Sequence, residues 1–383
     1  MNLLPSLLLL LLPLAQCELL FVAVIWRHGL RAPSRLPYPL DPHNETAWQR
    51  GWKELTNEGI KQMYDLGLWL HNRYTVENTL INSVFNKKEV LVLSTDVERA
   101  LCSAQSVMAS LFAPEGEFVW KRGFAWQPVP IHSYGEDRTD PLLKPTDFPC
   151  PAYDKLMTAD THPLQSVAES NDQLFKELTK NTGMEVNIKN VDDFYDITRE
   201  MAHGLKQPDW VTDGLVDKIK EFKRIVRTNE FNSPVKARFR GGYLVGDWHS
   251  RINAAANGEK KAKKAVLYSS HDGTLSALLY TLGVANDQLV PHAAAIIAEL
   301  HREAGKDFVK LWYRNETSAP TSDPVQLTLP GCETSCHLAT FNAIVAPLTL
   351  NTTKQLEELC SSGSPFLSSL FLAFILLYVA ISR

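Results

Sequence analysis

The sequence predicts an α/β fold in which a central sheet is flanked by helices and interrupted by an all-helical insertion. Two observations carry this. Short apolar runs of the kind buried on both faces of a sheet alternate with helical patterns over most of the chain. From about residue 150 to 234 the alternation stops and helical patterns follow one another without clear strands. The expected layout is a discontinuous α/β domain at 17–149 and 235–364, with a helical cap at 150–234. Residues 1–16 and 365–383 then stand outside the fold.

The first strand is Leu20–Ile25, which runs into Arg27-His28-Gly29-Leu30-Arg31. A helical pattern over Asn57–Arg73 leads to the second strand, Val90–Ser94, and a further one covers Asp96–Phe112. In the cap, Pro163–Thr179, Val191–His203 and Asp213–Thr228 read as helices. Gly242–Asn257 is a helical pattern ahead of the third strand, Ala265–Ser270, and Thr274–Leu282 is helical directly after it.

Both ends read as targeting segments. Leu3–Leu14 is apolar, too short to span a bilayer, and followed by Ala15-Gln16-Cys17, which is the form of a cleaved secretory signal over 1–16. It departs from that form in lacking Lys or Arg near its start. A bacterial lipoprotein signal would want a small residue where Gln16 stands. Phe366–Ile381 is sixteen residues broken only by Ser368 and Ser369, against about 20 for a spanning helix. A type I anchor and a signal for glycolipid attachment are the two readings. Ser361-Ser362-Gly363 has too short a spacer for the lipid, and cutting near Asn351 would remove Cys360.

With 45% hydrophobic and 21% charged residues the chain is globular material, and its net charge of -4 gives no general attraction to nucleic acid. The basic run at 259–264 reads as a solvated loop. Of six cysteines, Cys17 lies at the expected cut, and Cys332 and Cys336 are spaced to close a small loop. Cys150 and Cys360 remain to join distant parts, leaving Cys102 as a free buried thiol. Cys332-x3-Cys336-His337 has no second pair of ligands, so no zinc site is expected. Sequons at Asn44, Asn315 and Asn351 suit a secreted glycoprotein.

Three polar clusters stand at the ends of the three strands, where ligands bind in open α/β sheets. They are Arg27-His28-Gly29-Leu30-Arg31, Ser94-Thr95-Asp96-Val97-Glu98-Arg99 and Ser270-His271-Asp272-Gly273-Thr274. If the strands are neighbours, Arg27, Arg31, Arg99 and His271 converge on one anion while Asp272 opens a helix beside it. Guanidinium forks and helix N-termini both suit phosphate oxygens. Ser270-His271-Asp272 does not make a serine-hydrolase triad, because adjacent residues at a strand end point apart.

These clusters resemble, in order and separation, the three signatures of the histidine acid phosphatases. The resemblance is greatest to the animal prostatic, lysosomal and testicular enzymes, and it extends through Leu111–Gly116, Tyr313–Thr317 and Leu329–Cys332 with Cys336. It implies a phosphoglycerate-mutase-like domain with a helical cap and disulfides Cys150–Cys360 and Cys332–Cys336. A further bridge common in the family has no cysteines here, which implies a looser cap. Leu30 departs from the aspartate often found at that position and bears on leaving-group or pH preference.

The chemistry expected is metal-independent hydrolysis of phosphate monoesters, with no cofactor. His28, neutral in mild acid, attacks phosphorus to give a phosphohistidine. Arg27, Arg31, Arg99 and His271 hold the phosphoryl oxygens, and Asp272 protonates the leaving group. The substrate is a small-molecule or peptide phosphomonoester, and nothing in the cap reads as a code for one. A secreted phosphotransferase of the mutase kind and a non-enzymatic surface protein on the same scaffold are the other classes; the presence of both His28 and Asp272 argues against the latter. A homodimer is expected, as is a membrane-attached protein facing the outside or a lumen, lysosomal included. The type I reading predicts that phosphatidylinositol-specific phospholipase C leaves the protein on membranes while truncation after Ser364 releases it. Release by the lipase would establish the glycolipid anchor instead.

Overall fold

A computed structural model of the chain describes residues 17–135, 137–160, 162–315 and 323–361. The expected signal segment 1–16 and anchor segment 365–383 lie outside the described residues, as do Glu316 and Thr317 of the Asn315 sequon. Among the described residues no helix is long and apolar enough to cross a membrane.

In chain order the elements begin with β1 (Glu18–Arg27), α1 (Asn57–His71), β2 (Val90–Ser94) and α2 (Glu98–Leu111). The insertion contributes α3 (Pro151–Ala159), α4 (His162–Ser170), α5 (Asp172–Thr182), α6 (Ile197–Ala202) and α7 (Asp213–Asn229). Then come α8 (Pro234–Ala256), β3 (Ala265–Ser270), α9 (Asp272–Thr281), β4 (Ala295–Glu303), β5 (Lys306–Arg314), β6 (Val325–Leu327), β7 (Cys336–His337), α10 (Leu338–Val345) and α11 (Thr353–Cys360).

The strands form one mixed sheet in the order β2-β3-β1-β4-β5-β6, with β7 also paired to β5. β1 and β2 both run parallel to β3, and β4 returns antiparallel along β1. β1 is buried on both faces, as a continuous apolar run requires. Phe21, Ala23 and Ile25 pack with Leu244, Trp248 and Ile252 of α8 and Leu275 and Leu278 of α9. Val22, Val24 and Trp26 pack on the other side with Met63 and Leu66 of α1 and Val107 and Leu111 of α2. The period of two along β1 therefore feeds two separate layers of helices.

Several expected boundaries move. The pattern over 163–179 is two helices broken at Asn171, and 191–203 is a 3-10 turn over Val191–Asp196 followed by the short α6. α8 starts eight residues earlier than expected, because Pro234 suits a first helical position and Ser233 caps it. β4 and β5 fall in stretches without an expected element. Ala295 and Ala298 of β4 carry little strand preference, and the strand pairs antiparallel with β1 along its length. The two-residue turn Ala304-Gly305 joins β4 to β5 with both residues at positive φ, the geometry that matches strand twist.

Cys150–Cys360 and Cys332–Cys336 are both formed. The first pins the start of α3 to the end of α11, where Tyr153, Phe239 and Leu356 close over it. Cys102 is exposed, not buried. The buried face of α2 runs through Ala100, Ser103, Ala104, Val107 and Leu111, which turns position 102 to solvent. The helical insertion has its own cluster, with Phe175, Leu178, Val191, Phe194, Ile219 and Phe222 around Tyr38.

The segment after β1 is held by residues 53–56. Ala32 donates to Glu54 (2.9 Å), Thr56 donates to Leu30 (3.0 Å), and the Thr56 hydroxyl then caps α1 at Gly59. Helix and segment touch at two glycines. A Cβ on Gly29 would lie 2.2 Å from the Gly59 carbonyl oxygen, and one on Gly59 would lie 1.9 Å from that of Leu30. Gly59→Ala is expected to force the segment carrying His28 away from α1 and lower stability by about 1–3 kcal/mol. Chemical denaturation checks this, and Gly214→Ala, which meets nothing within 4 Å, is the control.

Candidate active site

The carboxyl ends of β1, β3 and β2 lie side by side, with Arg27 opposite Ser270 and Ser94 opposite Ser269. This level is the floor of a cavity of about 550 Å³ lined by Arg27, His28, Arg31, Arg99, His271 and Asp272. All six expected site residues are thus brought together. Serines fasten the floor: Ser103 accepts from the Gly29 amide (3.2 Å) and donates to the Arg99 carbonyl (2.6 Å), and Ser269 donates to Ala100 (2.7 Å). The start of α2 is therefore tied to both β1 and β3.

His28 is buried, and its Nδ1 donates to the Gly29 carbonyl at 2.8 Å. A carbonyl only accepts, so Nδ1 carries the hydrogen and Nε2 keeps its lone pair. Burial first, then the charges of Arg99 and Arg27, hold His28 well below the usual imidazole range. The ring is expected to be neutral in mild acid, and desolvation is the larger cause of that state. His271 accepts or donates at Nε2 to the Thr95 hydroxyl (2.9 Å) and is pushed down to about 3 by burial and Arg99.

The arginines are poorly satisfied. Arg27 donates to the Val290 carbonyl (2.5 Å) and contacts His292 Nε2 (3.1 Å), and Arg31 donates to Ala32 (2.6 Å). The Nε of Arg27, of Arg31 and of Arg99 is buried without a partner. Arg31 and Arg99 are each lowered to about 10, by burial and then by a neighbouring arginine. A partly buried cluster of like charges with spare donors is chemically an anion receptor.

Asp272 opens α9 with Oδ2 at 3.2 Å from Arg227 Nη2. Burial opposes its ionisation, but Arg227, Arg27 and Lys223 outweigh burial and hold it well below the carboxylate range. The role expected for Asp272, protonating the leaving group, needs a carboxyl that carries a proton in mild acid. The protein's own charges make it a carboxylate there.

Sequence reasoning missed the groups contributed by loops and by the insertion. The His292 ring lies 5.7 Å from that of His28 and is likewise held neutral by burial and Arg27. Its segment is tied down by Arg27 donating to Ala294 and Ala293 donating to His28. Arg199, Lys223 and Arg227 reach the cavity from α6 and α7. Only the segment Pro291-His292, ahead of an unassigned strand, offered any local signal. Among the described residues, nine Arg and Lys side chains line the cavity against five Asp. Arg35, Lys144, Arg199, Lys223 and Arg227 each pair with one of those aspartates. Arg27, Arg31, Lys53 and Arg99 do not.

The burial of three histidines sets a pH dependence. Free imidazole titrates near 6.5, and His28, His271 and His292 all have folded values below that. The stability they contribute is complete above about pH 6.5 and is lost as pH falls from there toward their folded values, because only the unfolded chain takes up their protons. NMR of the imidazole nitrogens from pH 8 to 5 is expected to show all three remaining neutral. Titration of His28 near 6.5 would contradict the geometry.

The profile of the Histidine phosphatase superfamily (branch 2) matches residues 18–314. Lysosomal acid phosphatase of Xenopus laevis is 35% identical over 361 residues, 92% of this chain and 81% of that one. Prostatic acid phosphatase of Bos taurus is 34% identical over 339 residues, 86% of this chain and 85% of that one. Among solved structures, Hafnia alvei phytase superposes with a TM-score of 0.68 at 17% identity, covering 87% of this chain and 97% of that one. The last likeness concerns the fold alone. By these matches the chain belongs to branch 2 of the histidine phosphatase superfamily and is, as a member, a phosphoric monoester hydrolase.

Proposed function

We propose that the protein is an acid phosphatase working through a covalent phosphohistidine on His28, with Asp272 as proton donor. The observation that carries this reading is the Nδ1 bond of His28 to its own neighbour's carbonyl, which leaves Nε2 as a nucleophile among three arginines that lack carboxylate partners. The Nε2 lone pair attacks phosphorus, the P–O ester bond breaks, and the departing oxygen takes a proton from Asp272. The ring stays protonated on Nδ1 and is cationic while phosphorylated. Water then attacks phosphorus, Asp272 takes a proton from it, and phosphate leaves with His28 neutral again.

Arg27, Arg31, Arg99 and His271 serve the phosphoryl oxygens. Preorganised donors of this kind are worth about 3–4 kcal/mol each in a transition state where charge builds. The charge is supplied by guanidinium groups, so the reading calls for no metal. Residues 150–234 act as the cap over the cavity, with Arg199, Lys223 and Arg227 as its contribution to the lining.

The protein belongs to the secretory pathway on this reading, glycosylated at Asn44, Asn315 and Asn351 and attached to a membrane through its C-terminal segment. Two formed disulfides support an oxidising compartment. The exposed cluster of Trp120, Phe124 and Trp126 supports the homodimer, since contiguous apolar surface marks an interface. The substrate is a phosphomonoester.

Rapid mixing with labelled phosphomonoester and quenching in alkali is expected to trap protein-bound label that is lost in acid, as a phosphoramidate is. The label should be absent in His28→Ala. Label that survives acid on a serine would overturn the assignment.

A further inference from the structure

Arg227 has no role in the chemistry above, yet it is the group in closest ionic contact with the proposed donor. It lies on α7 of the insertion, and its guanidinium is divided between two carboxylates. Nη2 is 3.2 Å from Asp272 Oδ2, while Nη1 donates to Glu230 Oε1 and Oε2 at 3.0 and 2.8 Å. One partner belongs to the helix that starts at the strand ends. The other belongs to the insertion.

We propose that Arg227 is a positioning residue that keeps Asp272 ionised until the negative charge of a phosphate ester enters the cavity, so that the donor is loaded with its proton only beside substrate. This rests on the reading of Asp272 as proton donor.

The groups facing Asp272 come from several elements. α7 brings Arg227, Lys223 and, at its end, Glu230; β1 and the segment after it bring Arg27, His28 and Arg31. Arg99, Arg199, His271 and His292 complete the surroundings. The cations outnumber Glu230, and Arg227 is foremost among them in lowering the Asp272 carboxyl. A phosphate ester held by Arg27, Arg31 and Arg99 neutralises part of that charge and repels the carboxylate, which favours its protonation. Arg227 then keeps Glu230 as its partner, so no buried cation is stranded. The proton taken up on Asp272, from solvent or from the ester's own hydroxyl, passes to the leaving oxygen as the P–O bond breaks, and the carboxylate returns to Arg227.

The test is the pH dependence of kcat and KM for an alkyl and an aryl phosphate. In Arg227→Leu the alkaline limb of kcat for the alkyl ester is expected to move up by about one pH unit, a roughly tenfold gain on that limb. The aryl ester, whose phenolate leaves with little help, should change less than about threefold. Arg227→Lys should restore most of the wild-type limb. Glu230→Gln, which frees Arg227 for Asp272, should move the same limb the other way. An unmoved limb in Arg227→Leu overturns the proposal, as does an equal rise in KM for both esters, which would make Arg227 a substrate contact. If Arg227→Leu does not fold, an unmoved or raised limb in Glu230→Gln overturns it alone. The parent reading fails separately: it is lost if Asp272→Asn keeps the wild-type dependence on leaving group.

Discussion

Parallel pairing of β1 and β2 on either side of β3 is the constraint on which the site depends. Parallel strands end at the same level, so each turn that follows them opens onto one place. Arg27 ends β1 and His28 follows it, Thr95 and Arg99 follow β2, and His271 and Asp272 follow β3. The serine bonds among Gly29, Ser103, Arg99, Ser269 and Ala100 then convert a shared level into a fixed geometry. Cationic groups that repel one another cannot hold themselves in place. The backbone and the two cores beneath it do so.

Desolvation sets the second constraint. A buried imidazole is cheaper neutral than charged, and a buried guanidinium wants a counter-ion. His28, His271 and His292 meet the first condition by staying neutral. Arg27, Arg31 and Arg99 leave the second condition unmet, each with a buried Nε that has no partner. The remaining paired cations of the cavity answer to aspartates, chiefly on the 3-10 turn over Val191–Asp196. The floor is thus positive while the walls are close to balanced.

The helical segment 150–234 also builds part of the cavity. It rests on its own cluster of apolar residues, reaches across to Tyr38, and is tied to the α/β part through Cys150–Cys360 and the α3 contacts around it. Through α6 and α7 it also places Arg199, Lys223 and Arg227 in the cavity. Arg227 joins the two parts electrically, bonded to Glu230 on one side and Asp272 on the other.

The sequence by itself determined the three buried strands, the helices that cover them and the six residues at the strand ends. Each is a local fact: an apolar run of strand length, a helical period, a cluster of titratable groups directly after the run. No element is expected from sequence at β4 and β5, although Ile296, Ile297, Phe308, Val309, Trp312 and Tyr313 favour strands; their antiparallel places along β1 and along each other come from the tertiary structure. It alone decided that Cys102 faces water and that His292, Arg199 and Arg227 belong to the site. The partners that place His292 and Arg227 there, Arg27 and Asp272, lie 265 and 45 residues away in the chain, while Arg199, paired with Asp196 in its own segment, lines the same cavity only because that segment folds over the strand ends. It also decided the state of Asp272, because the pKa of a half-buried carboxyl is set by the charges folded around it more than by the residues beside it in sequence.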